Sequence, residues 1–117
     1  MGSAGTGSFG DYKPGQNEDR CLENLFNITL EEVALCEYFE INKDIPPFMT
    51  QVKVKNQLHN GRVALETIER NEIIGLLPTI YSYIISCIRR GYRYEGKVTF
   101  SSTSPIAKVM VDLDAIK

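Results

Sequence analysis

The sequence predicts an α+β fold: an N-terminal helical segment, then a ββαββ unit whose antiparallel sheet packs on one central helix. Three observations predict it. Residues 48–58 alternate apolar and polar and run into Asn60-Gly61. Residues 76–88 carry apolar side chains at helical spacing. Residues 109–114 alternate again.

Size and composition agree with one such unit. The chain has 117 residues, enough for a single domain with one modest core. Hydrophobic residues at 43% and charged residues at 24% exclude a wholly disordered chain. No apolar run approaches the roughly 20 residues that a membrane-spanning helix needs. Charge is uneven: residues 1–50 carry 3 basic and 9 acidic groups, residues 51–117 carry 10 and 6. Such asymmetry favours head-to-tail association between copies.

Residues 1–18 hold five glycines, two serines and a proline, and read as a flexible Gly/Ser-rich arm preceding a domain over 19–117. Met1-Gly2 followed by Thr6 fits the loose N-myristoylation pattern, which makes a membrane-surface assembly role one alternative. Residues 19–42 read as helical. Asp19 is placed to cap a turn carrying Leu22, Leu25 and Phe26, and Thr29 with Glu32 forms a capping-box pattern ahead of Val33, Cys36, Tyr38 and Phe39. Pro46 and Pro47 stop that helix, because neither donates an amide and each restricts the residue before it.

Phe48, Thr50, Val52, Val54 and Leu58 then share one face of a strand. Asn60-Gly61 supplies the strongest short hairpin signal, since a type I′ turn needs positive φ at both central residues. The return from Arg62 sets Leu58 opposite Val63 and Lys55 opposite Glu66, although residues 62–70 also fit a helix. Over 71–91, Leu76, Leu77, Ile80, Tyr81, Tyr83, Ile84, Ile85, Cys87 and Ile88 mark the central helix. Pro78 falls in its first turn or at a kink, and Gly91 just past its end. Tyr94, Val98 and Phe100 lead through a Ser101–Pro105 turn to Val109, Val111 and Leu113, a second hairpin.

The chemistry-bearing residues are sparse. Cys21, Cys36 and Cys87 are an odd, widely spaced set without a CxxC pair, which points to free thiols in a reducing, cytoplasmic setting. With His59 the single histidine, no structural metal site is expected, and no cofactor motif is present. Nothing resembles a GxSxG, HExxH or P-loop pattern, so no catalytic residue is assigned and the chain is read as a non-enzyme.

Arg89, Arg90, Tyr92, Arg93, Tyr94 and Lys97 interleave cations with aromatics, as a single-stranded nucleic-acid platform would. Arg90-Gly91-Tyr92 with Tyr94 resembles the start of an RNA-recognition-motif strand, a likeness of five residues that ends at Arg93 and Glu95. The leading expectation is a small intracellular interaction or assembly module that self-associates or binds a protein partner. Tyr81, Ile85, Val109 and Val111 are its expected interface residues. Nucleic-acid binding is the alternative.

Overall fold

The computed structural model describes residues 20–117; the expected arm over 1–18 and its lipid-attachment pattern lie outside these residues. The architecture corrects the expected fold class. The described chain is mostly β, a curled half-barrel of six antiparallel strands rather than a ββαββ unit on a central helix. The strands are β1 (Leu25–Thr29), β2 (Gln51–Val54), β3 (Ala64–Thr67), β4 (Ile73–Leu76), β5 (Arg93–Ser102) and β6 (Lys108–Ile116). They form one sheet in the order β1-β6-β5-β2-β3-β4. Among the described residues, two six-residue helices, α1 (Glu37–Asn42) and α2 (Ile84–Arg89), and two short 3-10 turns accompany the sheet, and Arg20 and Cys21 are also helical.

The two expected hairpins are present. Asn60 and Gly61 both take positive φ, 52° and 79°, as the turn demands. His59 pairs with Arg62 at the turn, but the strands pair Lys53 with Glu66 and Val54 with Leu65. Lys55 already donates its amide to Ala64, so Asn56, Gln57 and Leu58 stand opposite Val63 alone. Two surplus residues therefore bend out between turn and strand. A shift of two keeps every β2 side chain on its expected face and expels Leu58, which is exposed; Phe48, expected on the same face, lies ahead of β2 and is exposed as well.

In the β5–β6 pair, Val98 faces Val111, but a bulge at Thr99 brings Phe100 opposite Met110. The bulge switches Phe100 to the outer face, while Val98 stays buried.

The expected helices fail for identifiable reasons. Along β1, Leu25 pairs with Leu113 and Ile28 with Val111, so three steps on one strand match two on the other. Asn27, with φ 55°, absorbs the surplus residue. A bulge thus spaces inward residues by three, which imitates a helical repeat. Thr29 ends this strand instead of capping a helix. Glu32 has φ 57° and makes no side-chain cap. From the expected N-terminal helical segment, Arg20 and Cys21 are helical and α1 survives, ending at Asn42 before the prolines.

The expected central helix divides at Pro78. All four residues of β4 are buried, because the main core lies on one side and a smaller cluster of Cys36, Ala64, Ile73 and Leu76 on the other. A strand covered on both faces reads as a continuous apolar run, like a buried helix. Pro78 is extended, and α2 is left with Ile84 and Cys87 as its buried residues. Gly91, with φ 97°, follows the helix as expected.

The curled sheet begins to close on itself. Beyond β1, Glu31 and Leu76 exchange backbone hydrogen bonds of 2.8 and 2.9 Å, joining the two edge regions. Arg62 fastens this seam. Its guanidinium binds the Glu31 carboxylate, donates to the Leu77 carbonyl at 2.8 Å and lies 3.9 Å from Glu32. Next to it, Glu37 accepts the Ile73 amide at 3.0 Å, so the β4 edge is partly capped by a side chain.

Cysteine chemistry also departs from expectation. Cys21 and Cys87, 66 residues apart, form a buried disulfide with Cα atoms 5.6 Å apart, and only Cys36 is a free thiol. The bridge pins the segment before β1 to α2. Around it, the Tyr94 hydroxyl donates to the Cys21 carbonyl at 2.7 Å, and the Arg20 guanidinium stacks 3.7 Å over the Tyr83 ring.

Candidate functional site

Alternation along β5 and β6 sends Tyr94, Val98, Val109, Val111 and Leu113 into the core. Glu95, Lys97, Asp112 and Asp114 line the opposite, outer face. Register then decides their neighbours. Glu95 stands directly opposite Asp114, and Lys97 opposite Asp112. On the other side of β5, Lys53 pairs with Glu95 and Gln51 with Lys97. Two carboxylates facing each other across a ladder repel, so the Glu95–Asp114 pair works against sheet stability. Arg93 offsets part of this with a 3.4 Å contact to Glu95. Asp112 is engaged differently, accepting the bulged Asn27 amide at 2.7 Å.

Apolar side chains stand beside these acids. Phe26 is 61% exposed, Met49 50% and Ile68 38%. Phe26 points outward because of the β1 bulge, and Met49 because the chain turns at φ 75° before β2. Together they border a trough of about 570 Å³ on the outer face. Across Gln51 and Ile68 it adjoins a second hollow of about 580 Å³ reaching Tyr38 and Asn42 of α1. Isolated exposed apolar residues are ordinary, but several around one concavity mark a contact surface.

One buried carboxylate lies next to the trough without opening into it. Glu66 is 6% exposed, and its Oε1 accepts no hydrogen bond. Lys55 and Lys53 approach to 3.5 and 3.8 Å and neutralise it, a structural role consistent with its place in β3.

The basic and aromatic segment comes apart in three dimensions. Arg89, Arg90, Arg93 and Lys97 are exposed, but Tyr92 and Tyr94 are 2% and 1% exposed. Their rings fill the core, and the Lys117 ammonium lies 5.0 Å from the Tyr92 ring centre. The cations are thus left without the stacking rings that the nucleic-acid alternative requires. Burial pushes the Tyr94 phenol up to about 12, so it stays protonated and donates to Cys21. Burial likewise raises Tyr83, opposed by Arg20, and raises the Cys36 thiol, aided by Glu32 and Glu37.

The expected interface residues also separate. Val109 and Val111 are fully buried and correct that part of the expectation: they are core, not contact surface. Ile85 and Tyr81 are half-buried. Ile85 lines a separate apolar cleft of about 290 Å³ between α2 and the bend at Asn56–Leu58. The outer trough escaped sequence reasoning because the β1 bulge, the turn at Met49 and a cross-strand register build it. Its one legible signal was the polar parity of Asp112 and Asp114. Among the described residues, no three His, Cys, Asp or Glu side chains converge as metal ligands, and no helix is long and apolar enough to cross a membrane. No family model, curated protein or solved structure matches this chain.

Proposed function

We propose that this chain is a non-catalytic protein-interaction or assembly module, with the outer face of the sheet as its contact surface. The observation that carries this reading is the trough itself. Phe26, Met49 and Ile68 stand exposed around a Glu95–Asp114 pair whose repulsion the fold retains. A bound polypeptide would cover the apolar groups and supply the missing cations, so both features favour an occupied surface. Nucleic acid is the weaker reading, since these carboxylates repel phosphate and the tyrosines are buried.

The compartment belongs to the same proposal. Wide, odd cysteine spacing favours a reducing cytoplasm, whereas the Cys21–Cys87 bridge favours an oxidising one.

The test places a benzophenone photo-crosslinker at Phe26, with a second at exposed Thr103 in the β5–β6 turn as the control. Irradiation at working concentration is expected to join polypeptide to position 26 and not to position 103. Equal labelling at both positions, or at neither, refutes the reading. Light scattering behind a sizing column, with and without a mixed single-stranded oligonucleotide at low salt, separates the two readings. A mass shift only with the oligonucleotide would favour nucleic acid.

A further inference from the structure

We infer that the trough is filled by a second copy of this chain, which inserts Leu58 and Arg89 from the rim of the cleft between its α2 and its β2–β3 bend. The inference rests on the protein-binding reading above and names the partner. The trough asks for an occupant with cations and apolar side chains together. Of the cations nearest to it, Arg93 is held by Glu95 and Lys53 by Glu66, while Lys97 faces Asp112. Asp114 makes no ion pair among the described residues.

The same chain carries the complementary surface. The cleft at α2 is walled by Leu58, Val63, Ile85 and Ile88, and its charged members are Lys55 and Arg89, with no acid among them. Lys55 is engaged by Glu66, but Arg89 is exposed and makes no ion pair among the described residues. Leu58, expelled by the two-residue bend, projects beside it at 44% exposure. One copy thus offers an apolar knob next to an unpaired guanidinium. The other offers apolar walls next to an unpaired carboxylate.

The two surfaces belong to different elements: the trough to β1, β6, β5 and their neighbours, the cleft to α2 and the hairpin bend. The contact is therefore heterologous, each copy keeping one surface free, and it grows head to tail into a ring or an open chain.

Two variants of the full chain test this. Asp114→Lys spoils the trough, and Leu58→Ser/Arg89→Ser strips the cleft; all three positions are exposed. In sedimentation velocity over roughly 1–300 μM, wild type is expected to form species larger than a dimer, weakened by salt as exposed ion pairs are. Each variant alone is expected to stay monomeric. Their equimolar mixture is expected to stop at a 1:1 dimer, because only one compatible junction remains. A monomeric wild type overturns the inference while leaving the crosslinking test at Phe26 to judge the protein-binding reading. Self-association that both variants retain also overturns it, and moves assembly to another surface.

Discussion

Removing the Cys21–Cys87 bridge is the most informative perturbation of this fold. The bridge closes a loop spanning 66 positions that contains all of β1 through β4. In the chain-entropy treatment, a loop of that length removes about 15 cal/mol/K from the unfolded chain, or about 4 kcal/mol at 25 °C. Total stability for a domain of this size is roughly 5–15 kcal/mol, so the loss is a large fraction of the whole. The native state adds reasons for a large effect. The Tyr94–Cys21 hydrogen bond and the Arg20–Tyr83 stack hold the segment that the bridge anchors, and both weaken once it can detach.

The perturbation is Cys21→Ala/Cys87→Ala, with Cys36→Ala as the control that leaves the bridge intact. Urea unfolding followed by far-UV circular dichroism measures it. With a slope of roughly 2 kcal/mol/M, the midpoint should fall by about 2 M. The slope should also rise, since the uncrosslinked chain unfolds to a more expanded state. Thiol titration of the oxidised wild type in denaturant should find one reactive thiol, Cys36. Three thiols, or a midpoint unmoved by the double substitution, would refute the reasoning.

Three further outcomes follow from the same geometry. Gly96→Ala should destabilise by about 3 kcal/mol or more, or abolish soluble folding, because a Cβ there would overlap the Asp112 carbonyl and press on the Leu113 Cα; an unchanged thermal midpoint would contradict the β5–β6 register. Arg62→Ala should cost about 1–3 kcal/mol and speed hydrogen exchange at the Glu31 and Leu76 amides ahead of the β5–β6 amides, since it unfastens the seam. The raised Tyr94 pKa gives stability that is complete below pH 10 and lost as pH rises towards 12, because the folded state keeps a proton that the unfolded state releases. Tyr94→Phe should therefore lessen the alkaline loss of stability, measured by urea midpoints between pH 9 and 11, and equal slopes for both proteins would rule out this linkage.

How much of this was legible beforehand can be judged element by element. Asn60-Gly61 specified its hairpin because few residues tolerate two successive positive φ values, a local property that no tertiary contact needs to supply. The inward set of β6 was equally plain, since one buried and one solvated face leave a period of two in Val109, Val111 and Leu113. The end of α1 ahead of Pro46 and Pro47 follows from the missing amides. Of the site, the outward acids Asp112 and Asp114 could be read, as could the basic run from Arg89 to Lys97, but not which of its side chains face inward.

Tertiary structure decided what depends on partners distant in sequence. β4 is a strand only because β3 lies beside it, with α1 and the main core covering its two faces; its apolar run carries no period that separates strand from helix. The bulges at Asn27 in β1 and Thr99 in β5 both exist in relation to β6, and they turn Phe26 and Phe100 outward. The pairing of Cys21 with Cys87 across 66 residues, the seam between Glu31 and Leu76, and the opposition of Glu95 to Asp114 share that origin. A turn or a strand face is governed by neighbours along the chain. A sheet order, a register and a charged trough are governed by which strands meet, and that choice rests on the burial of the whole core at once.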